Sequence, residues 1–237
     1  MGRWTRRRFL GGSAAAAAGA AFWSGSCSGG FKATDVGDGG LRHEVPLSGP
    51  WLFRIDPGDE GERSGWQGRD VEGAGWAEVS VPHTWQASDE TSGHLGRAWY
   101  RRAFEAPAAW EGRVVRIEFE AVFHTAQVWV NGAYAGAHVG KGYTAFALDI
   151  TALLNPGMTN TVAVRVDNAF HPGMLPRNDS YDWAPDGGIT RPVRLILTPA
   201  VYLESVWVDA RPALDNDSAA LAVTVLVRNA SSRPGDI

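Results

Sequence analysis

Apolar and polar positions alternate with a period of two through most of the chain, which is the pattern of β-strands with one buried face. In the clearest case Ala126, Val128 and Val130 alternate with Gln127 and Trp129. Asn131-Gly132 follows at once, and both residues tolerate the positive φ that a tight hairpin turn requires. The sequence therefore predicts a β-hairpin at this point.

Short segments of this kind recur with turn signals between them, which favours a β-sandwich over an α/β fold. We predict strands at 51–55, 77–81, 99–104, 114–119, 125–130, 161–166 and 191–197, with a further extended run at 146–154. No segment carries a long 3.6-residue apolar period, so helices should be short and peripheral. Residues 56–75 form the main irregular stretch, which Trp66 and Trp76 are expected to fix to the sandwich.

The pattern starts afresh after Pro199. Residues 201–208 and 221–227 alternate again, with a polar turn at 213–218 between them. An isolated pair of strands is marginal in water. We therefore predict one antiparallel β-sandwich of jelly-roll type over 42–200, and at 201–237 the beginning of a second, incomplete sandwich with an exposed apolar face.

The first residues are better interpreted as a targeting signal than as part of the fold. Residues 5–10, TRRRFL, resemble a twin-arginine export signal, and a weakly apolar Ala/Gly-rich run follows at 11–22. We expect a signal peptide at 1–30, a Gly-rich linker at 31–41, and export to the periplasm or outside the cell. The alternative is a basic terminus that arose by chance.

Cys27 is the only cysteine, so an intrachain disulfide is excluded. It ends a run of small residues, which resembles a lipoprotein processing site where the thiol takes a lipid anchor. Ser24 stands where such sites usually have Leu. Cleavage nearby, or an incidental thiol, are the alternatives.

Composition narrows the classes of partner. The net charge of -4 gives no reason to expect a nucleic-acid partner, since a phosphate binder would show a basic face. The 11 Trp residues are mostly expected in the core, although Trp is also a good platform for the apolar face of a sugar. No apolar run after residue 40 is long enough to span a bilayer.

Several segments together resemble a known family. They are VPHTW at 81–85, WYRRAFEAP at 99–107, VWVNG at 128–132, GYTAFALDIT at 142–151 and NTVAVRVDN at 160–168. They are similar to the N-terminal sugar-binding domain of glycoside hydrolase family 2, which includes β-galactosidases, β-glucuronidases and β-mannosidases. The resemblance implies a galactose-binding-like jelly roll at 42–200, an immunoglobulin-like domain beginning at 201, and a catalytic (β/α)₈ barrel missing from a chain truncated before it.

The segment NDSYDWAPDGGITRPVR at 178–194 carries the most specific part of the resemblance. Asp182 matches a family Asp by its spacing to Gly188-Ile189-Thr190-Arg191. The resemblance implies that Asp182 binds the terminal sugar, or holds a cation that contacts it; no other cofactor is expected. Charged acceptors suit this because their hydrogen bonds are about twice as strong as neutral ones. The alternative is that Asp182 only caps a turn.

Neighbouring residues receive lesser roles. Asn178 and Asp179 are expected to contribute to substrate binding from the same loop. Asp186 is interpreted as a turn residue and Arg191 as a structural residue paired with a carboxylate. His83, beside a proline, is interpreted as a satisfied loop residue rather than a ligand or base.

No catalytic residue is predicted in this chain. A retaining glycosidase needs two carboxyl groups about 5–5.5 Å apart, and the resemblance places both in the missing barrel. We therefore expect the non-catalytic N-terminal portion of an exported, retaining exo-β-glycosidase that acts on terminal β-linked sugars. A β-galactosidase or β-glucuronidase is favoured over a β-mannosidase. The alternative is a stand-alone carbohydrate-binding module.

Overall fold

The computed structural model describes residues 42–69, 75–170, 173–174, 184–213, 215 and 218–231. It contains twelve β-strands in the described ranges, which are β1 His43–Pro46, β2 Gly49–Asp56, β3 Ala77–Val81, β4 Arg97–Ala106, β5 Val114–Phe119, β6 Thr125–Val130, β7 Ala133–His138, β8 Phe146–Asp149, β9 Met158–Asp167, β10 Val193–Thr198, β11 Val201–Ala213 and β12 Ser218–Asn229. Short 3₁₀ turns lie at Trp85–Ala87, Ala108–Trp110 and Thr151–Leu153. Over these same ranges, no helix has the length and apolar character needed to cross a membrane.

The first ten strands form two sheets. Six strands are ordered β3-β2-β4-β9-β6-β7 and four are ordered β1-β10-β5-β8, and the pairings within both sheets are antiparallel. The apolar faces of the two sheets meet in one core. Val128 and Val164 enter it from the larger sheet, and Ile117 and Leu195 from the smaller one, all fully buried. The predicted fold class, an antiparallel β-sandwich, is confirmed.

Most predicted strands are present, and the differences have local causes. The segments predicted at 77–81, 114–119 and 125–130 match β3, β5 and β6. The extended run predicted at 146–154 is wrong beyond Asp149, because a 3₁₀ turn follows at Thr151–Leu153. The Asp149 Oδ1 atom accepts from the Thr151 backbone N–H at 2.9 Å and from its hydroxyl at 2.6 Å, and these local bonds turn the chain.

The predicted hairpin turn is confirmed, and it is tied to a second loop. Asn131 and Gly132 have φ values of 53° and 82°, so β6 and β7 meet through the left-handed backbone that this pair allows. The Asn131 amide donates to the Leu153 carbonyl at 2.8 Å and to the Asn160 side-chain oxygen at 2.7 Å. Asn160 is fully buried. A network of asparagines thus stabilises the end of the sandwich where β9 begins.

The outer face of the larger sheet carries a second apolar cluster. Trp99, Trp129 and Ala163 are buried there, and Trp66 and Trp76 pack against them. This confirms that Trp66 and Trp76 fix the irregular stretch to the sandwich. It also explains why Trp129 is buried although it faces away from the main core.

Asp56 organises the start of that irregular stretch. Its Oδ1 atom accepts from the Glu60 backbone N–H at 2.8 Å. Its Oδ2 atom accepts from the Gly61 N–H and from the Trp99 indole, both at 2.9 Å. A buried carboxylate with three donors is a structural group rather than a free acid or base.

The strands β11 and β12 form a separate two-stranded antiparallel sheet. Most of their large apolar side chains are exposed, including Val206, Val208, Val223 and Val225. Tyr202 is the buried exception, and the Arg116 guanidinium lies over its ring at 4.4 Å. The expected exposed apolar face is therefore present, and the immunoglobulin-like domain that it would begin stays a prediction.

Candidate functional site

The three predicted binding residues, Asp182, Asn178 and Asp179, lie outside the described residues. The structure does describe the two ends of the segment that carries them. The chain leaves the sandwich after β9, at Asn168, and returns at 184–190 before β10. We call 169–186 the candidate loop and describe its two ends.

Asn168 joins both ends of the candidate loop. Its side chain is fully buried, and the Nδ2 atom donates to the Pro185 carbonyl at 2.7 Å. The Oδ1 atom accepts from the Gly96 backbone N–H at 2.9 Å, and the Asn168 N–H donates to the Gly96 carbonyl at 3.1 Å. One amide therefore connects the end of β9, the returning chain and the loop that precedes β4.

Gln86 makes a matching connection from the other side. Its Nε2 atom donates to the His94 carbonyl at 2.8 Å, and its Oε1 atom accepts from the Gly187 N–H at 2.7 Å. The Trp85 indole also donates to the His94 carbonyl, at 3.0 Å. The segment 85–96, which we call the neighbouring loop, is thereby held against the returning end of the candidate loop.

Gly187 and Gly188 are required by close packing. A Cβ atom on Gly187 would lie 2.1 Å from Trp85 Cζ2 and 2.7 Å from Asn168 Nδ2. Gly188 has a φ of 147°, and a Cβ there would lie 2.2 Å from the His83 carbonyl oxygen. All three distances are shorter than a Cβ atom tolerates, so the Gly-Gly pair lets residues 187 and 188 pass directly against Trp85, Asn168 and the His83 carbonyl.

The returning segment, residues 184–190, is also held by the residues that follow β5 of the smaller sheet. Gly188 exchanges two backbone hydrogen bonds with Phe123, at 2.9 and 3.0 Å. The Thr190 N–H donates to the Ala121 carbonyl at 3.2 Å. Gly142 packs on the Phe123 ring so closely that a Cβ would lie 2.3 Å from it. The ends of four loops therefore meet at one end of the sandwich.

Half-buried His83 and fully buried Tyr100 form a hydrogen-bonded pair beside Gly188 and Ile189. The His83 Nδ1 atom and the Tyr100 hydroxyl are 2.7 Å apart, and the His83 ring packs edge-on against Phe53. Burial lowers the pKa of His83. Burial also raises the pKa of Tyr100 well above its usual value, and a hydrogen bond from the Ile189 backbone opposes this. His83 is thus the satisfied loop residue that the sequence predicts.

The secondary predictions in the returning segment can be placed as well. Asp186 is exposed, as expected for a turn residue. Arg191 is also exposed, and no carboxylate among the described residues forms an ion pair with it. Its pairing therefore stays a prediction.

Within the described ranges, acidic, histidine and cysteine side chains form no group of three suited to hold a metal ion. The cation suggested beside Asp182 concerns residues outside those ranges and stays a prediction. What the described residues offer is a set of hydrogen-bonded amides and closely packed glycines at residue 168 and at 185–188, the two described ends of the candidate loop.

Sequence reasoning missed Gln86 and Asn168. Asn168 directly follows the alternating strand VAVRVD, and Gln86 follows Trp85. A polar amide at the end of a strongly apolar strand is a signal that the sequence contains. The hydrogen-bond partners of these amides could not be predicted, because the Gln86–Gly187 bond spans 101 residues and depends on strand pairing.

The fold is an antiparallel β-sandwich whose loops meet at one end, and the comparisons with known proteins identify its family. Residues 45–199 match the family described as glycosyl hydrolases family 2, sugar binding domain. The match covers the described sandwich from β1 to β10. The chain belongs to glycosyl hydrolase family 2.

Relatives of the chain carry two activities in their names. It is 34% identical over 160 residues to a putative β-glucuronidase of Formosa agariphila, covering 66% of this chain and 19% of that protein. It is 30% identical over 173 residues to the β-galactosidase BoGH2A of Bacteroides ovatus, covering 68% of this chain and 19% of that protein. The chain thus spans about a fifth of the length of these relatives.

Solved structures show the same fold. A β-glucuronidase from Ruminococcus gnavus in complex with uronic deoxynojirimycin superposes with a TM-score of 0.71 at 24% identity, covering 79% of this chain and 34% of that one. The Ruminococcus gnavus β-glucuronidase in another structure superposes with a TM-score of 0.72 at 24% identity.

Proposed function

We propose that this chain is the non-catalytic N-terminal portion of an exported, retaining exo-β-glycosidase that acts on terminal β-linked sugars. The observation that carries the proposal is the family match over the whole sandwich. The relatives named as β-glucuronidases and β-galactosidases support it, and the chain spans only a part of each. The catalytic carboxylates belong to a barrel that follows in the complete protein.

In this proposal the sandwich holds the candidate loop at the rim of the active site. Asp182 accepts hydrogen bonds from hydroxyls of the terminal sugar, or holds a cation that contacts them, and Asn178 and Asp179 add weaker polar contacts. The hydrogen bonds at the described ends of the loop support this role, because a binding group works best when packing and hydrogen bonds fix its backbone.

The first test is the Asp182→Asn variant of the complete protein. It should fold normally and lose about 1.5–3 kcal/mol of transition-state stabilisation, measured through kcat/KM, because a charge-assisted hydrogen bond to the sugar is weakened. Asp186→Asn is the matched control, since Asp186 is exposed in the same segment and should keep full activity. If Asp182→Asn melts earlier and its folded fraction is fully active, Asp182 caps a turn instead.

The same kinetics identify the sugar. Both activities occur among the relatives, so 4-nitrophenyl β-D-glucuronide and 4-nitrophenyl β-D-galactoside should be compared on the complete protein. Hydrolysis of one of them with retention at the anomeric carbon is the expected result. Absence of activity and of binding toward both would contradict the proposal.

The second candidate function is a stand-alone carbohydrate-binding module with aromatic platforms. The number of Trp residues favours it, but the sandwich buries five of the eight Trp side chains that the structure describes. Trp51, Trp85, Trp99, Trp110 and Trp129 are buried, and of the Trp residues that the structure describes, Trp207 alone is largely exposed. The gene sequence past codon 237 separates the two candidates: a barrel of several hundred residues supports the enzyme, and an immediate stop supports the module.

Export is a separate part of the proposal. The twin-arginine pattern of residues 5–10 motivates it. Replacing Arg6 and Arg7 together by Lys should block export of a reporter fused after residue 40. Export at the wild-type level through the general secretory route would contradict the twin-arginine interpretation. Labelling with a radioactive fatty acid, with Cys27→Ser as the control, tests whether the thiol carries a lipid anchor.

A further inference from the structure

The side-chain amide of Asn131, in the turn between β6 and β7, is held by three hydrogen bonds. Its Nδ2 atom donates to the Leu153 carbonyl at 2.8 Å and to the Asn160 Oδ1 atom at 2.7 Å. Its Oδ1 atom accepts from the Thr161 backbone N–H at 3.1 Å. A side-chain amide has two N–H donors, so Asn131 uses both of them.

Asn160, which accepts one of these bonds, is itself fixed in orientation. It is fully buried, and its Oδ1 atom also accepts from the Asn155 N–H at 2.8 Å. Its Nδ2 atom donates to the Asn155 carbonyl at 3.1 Å and to the Met158 carbonyl at 2.8 Å. Turning the Asn160 amide over would break these bonds. The groups that face Asn131 Nδ2 are therefore both acceptors, and neither can become a donor.

Asn131-Gly132 is also the only Asn-Gly pair in the chain, and this dipeptide is chemically labile. The Gly132 backbone nitrogen attacks the Asn131 Cγ atom readily, because glycine has no Cβ to shield it. The new C–N bond closes a succinimide ring, the bond from Cγ to the side-chain nitrogen breaks, and ammonia leaves with the proton from the Gly132 N–H. Water then opens the ring to aspartate or isoaspartate, so a carboxylate replaces the amide.

The folded structure opposes this reaction. Departure of the side-chain nitrogen breaks both bonds that Nδ2 donates, and rotation of the amide toward Gly132 breaks the bond from Thr161. Opening against these three hydrogen bonds should slow the reaction by about a hundredfold relative to a free chain. The turn therefore has to open before Asn131 reacts.

The folded structure is also a poor host for the product. A carboxylate has no N–H to donate, so the new side chain would place an acceptor against the Leu153 carbonyl and the Asn160 Oδ1 atom. Two buried acceptors would lose their donor, and the like partial charges would repel.

We propose that Asn131-Gly132 is a modification site that deamidates only when this end of the sandwich opens, and whose product weakens the closure of that end. The folded state preserves the Asn131 amide, and each opening exposes it to an irreversible loss. The site adjoins the beginning of β9, whereas Asn168 and the candidate loop follow its end. The inference is therefore independent of the proposed function.

The first experiment compares reaction rates and needs no variant. The folded 237-residue chain, the same chain unfolded in urea, and a peptide of residues 126–136 are incubated at mildly alkaline pH. Conversion at Asn131 is followed by peptide mass spectrometry and by enzymatic methylation of isoaspartate. The folded chain should react about a hundredfold more slowly than the peptide, and the chain in urea as fast as the peptide. Equal rates in the folded chain and the peptide would overturn the proposal.

The second experiment tests whether the hydrogen bonds provide the protection. Asn160→Ala removes one acceptor of the Asn131 amide and should speed its conversion about tenfold. Asn168→Ala is the matched control, since Asn168 is an equally buried asparagine at the other end of β9 and should leave the rate at Asn131 unchanged. Both variants are incubated at the same interval below their Tm. Equal acceleration in both, or none in Asn160→Ala, would contradict protection by these bonds.

The third experiment tests the effect of the product. Asn131→Asp, which reproduces the aspartate form, should lower Tm by about 5–10 °C. Asn131→Gly is the control, because glycine keeps the left-handed backbone of the turn and loses the bonds without adding a charge, so its Tm should lie between the two. An Asn131→Asp variant as stable as the wild type would show that the product is tolerated. If Asn160→Ala does not fold, the rates of the folded and unfolded wild type still decide whether the fold protects Asn131.

Discussion

The sandwich and the β11–β12 hairpin consist of strands with the same alternating pattern, but they differ in how far their apolar side chains are buried. Val115 and Ile117 on β5 are at most 1% exposed, whereas Val206 and Val208 on β11 are 49% and 60% exposed. Each sheet of the sandwich faces the other, while the hairpin makes a sheet of its own. Alternation decides which side chains share a face, and burial requires a second layer.

The largest effect expected from this difference comes from matched truncations. Leu195→Ala in the sandwich should lower the free energy of unfolding by about 2–5 kcal/mol, because it leaves a cavity in a close-packed core. Val223→Ala in the hairpin should change it by less than about 0.5 kcal/mol, since Val223 is 57% exposed. Guanidinium unfolding of the 237-residue chain measures both. Comparable losses would show that the hairpin is packed against another layer in solution.

A smaller effect is expected where the two regions touch. Tyr202 is the buried residue of the hairpin, and its ring lies under Arg116 of β5. Tyr202→Ala should cost about 1–2 kcal/mol, because the cation–π contact and the burial of the ring are both lost. Exchange of the β11 and β12 amides should rise while that of β5 and β10 stays slow. Uniform destabilisation of all strands would mean that hairpin and sandwich unfold as one unit.

The smallest effect concerns pH and belongs to the sandwich. Burial lowers the pKa of His83 below 6.5, so the folded state favours the neutral ring. Its contribution to stability is fully present above pH 6.5 and is lost as the pH falls through the lowered pKa of the folded state. Residues 201–229 contain no histidine, so the hairpin adds no such step.

The pH effect can be isolated by difference. Unfolding free energies of the wild type and of His83→Gln should be compared at pH 7.5 and pH 5, where the wild type should lose more stability than the variant. Groups other than His83 titrate equally in both proteins and cancel in the comparison. Equal losses would show that His83 is not held neutral by the fold.

Much of the sandwich is readable from the sequence because its signals are local. Alternation predicted β3, β5 and β6 at their observed bounds, and the Asn131-Gly132 pair predicted its turn. Local chemistry also explains the miss at 150–154, where Asp149 bonds the residue two positions on. The burial of Trp129 could not be predicted from local signals. It depends on Trp66, which is distant in the sequence and packs against the same cluster on the outer face of the sheet.

For the candidate loop, too, some features could be predicted from the sequence and others depend on the tertiary structure. Sequence by itself determined the family, through ordered segments that residues 45–199 then matched, and it determined the Gly-Gly pair that precedes β10. Only the tertiary structure decided why those glycines are needed, since Trp85 of the neighbouring loop and the His83 carbonyl lie against them. It also decided the hydrogen-bond partners of Asn168 and Gln86. The sequence shows that both residues carry a side-chain amide, but the partners of an amide depend on strand pairing, which brings residues 86 and 187 to within hydrogen-bond distance.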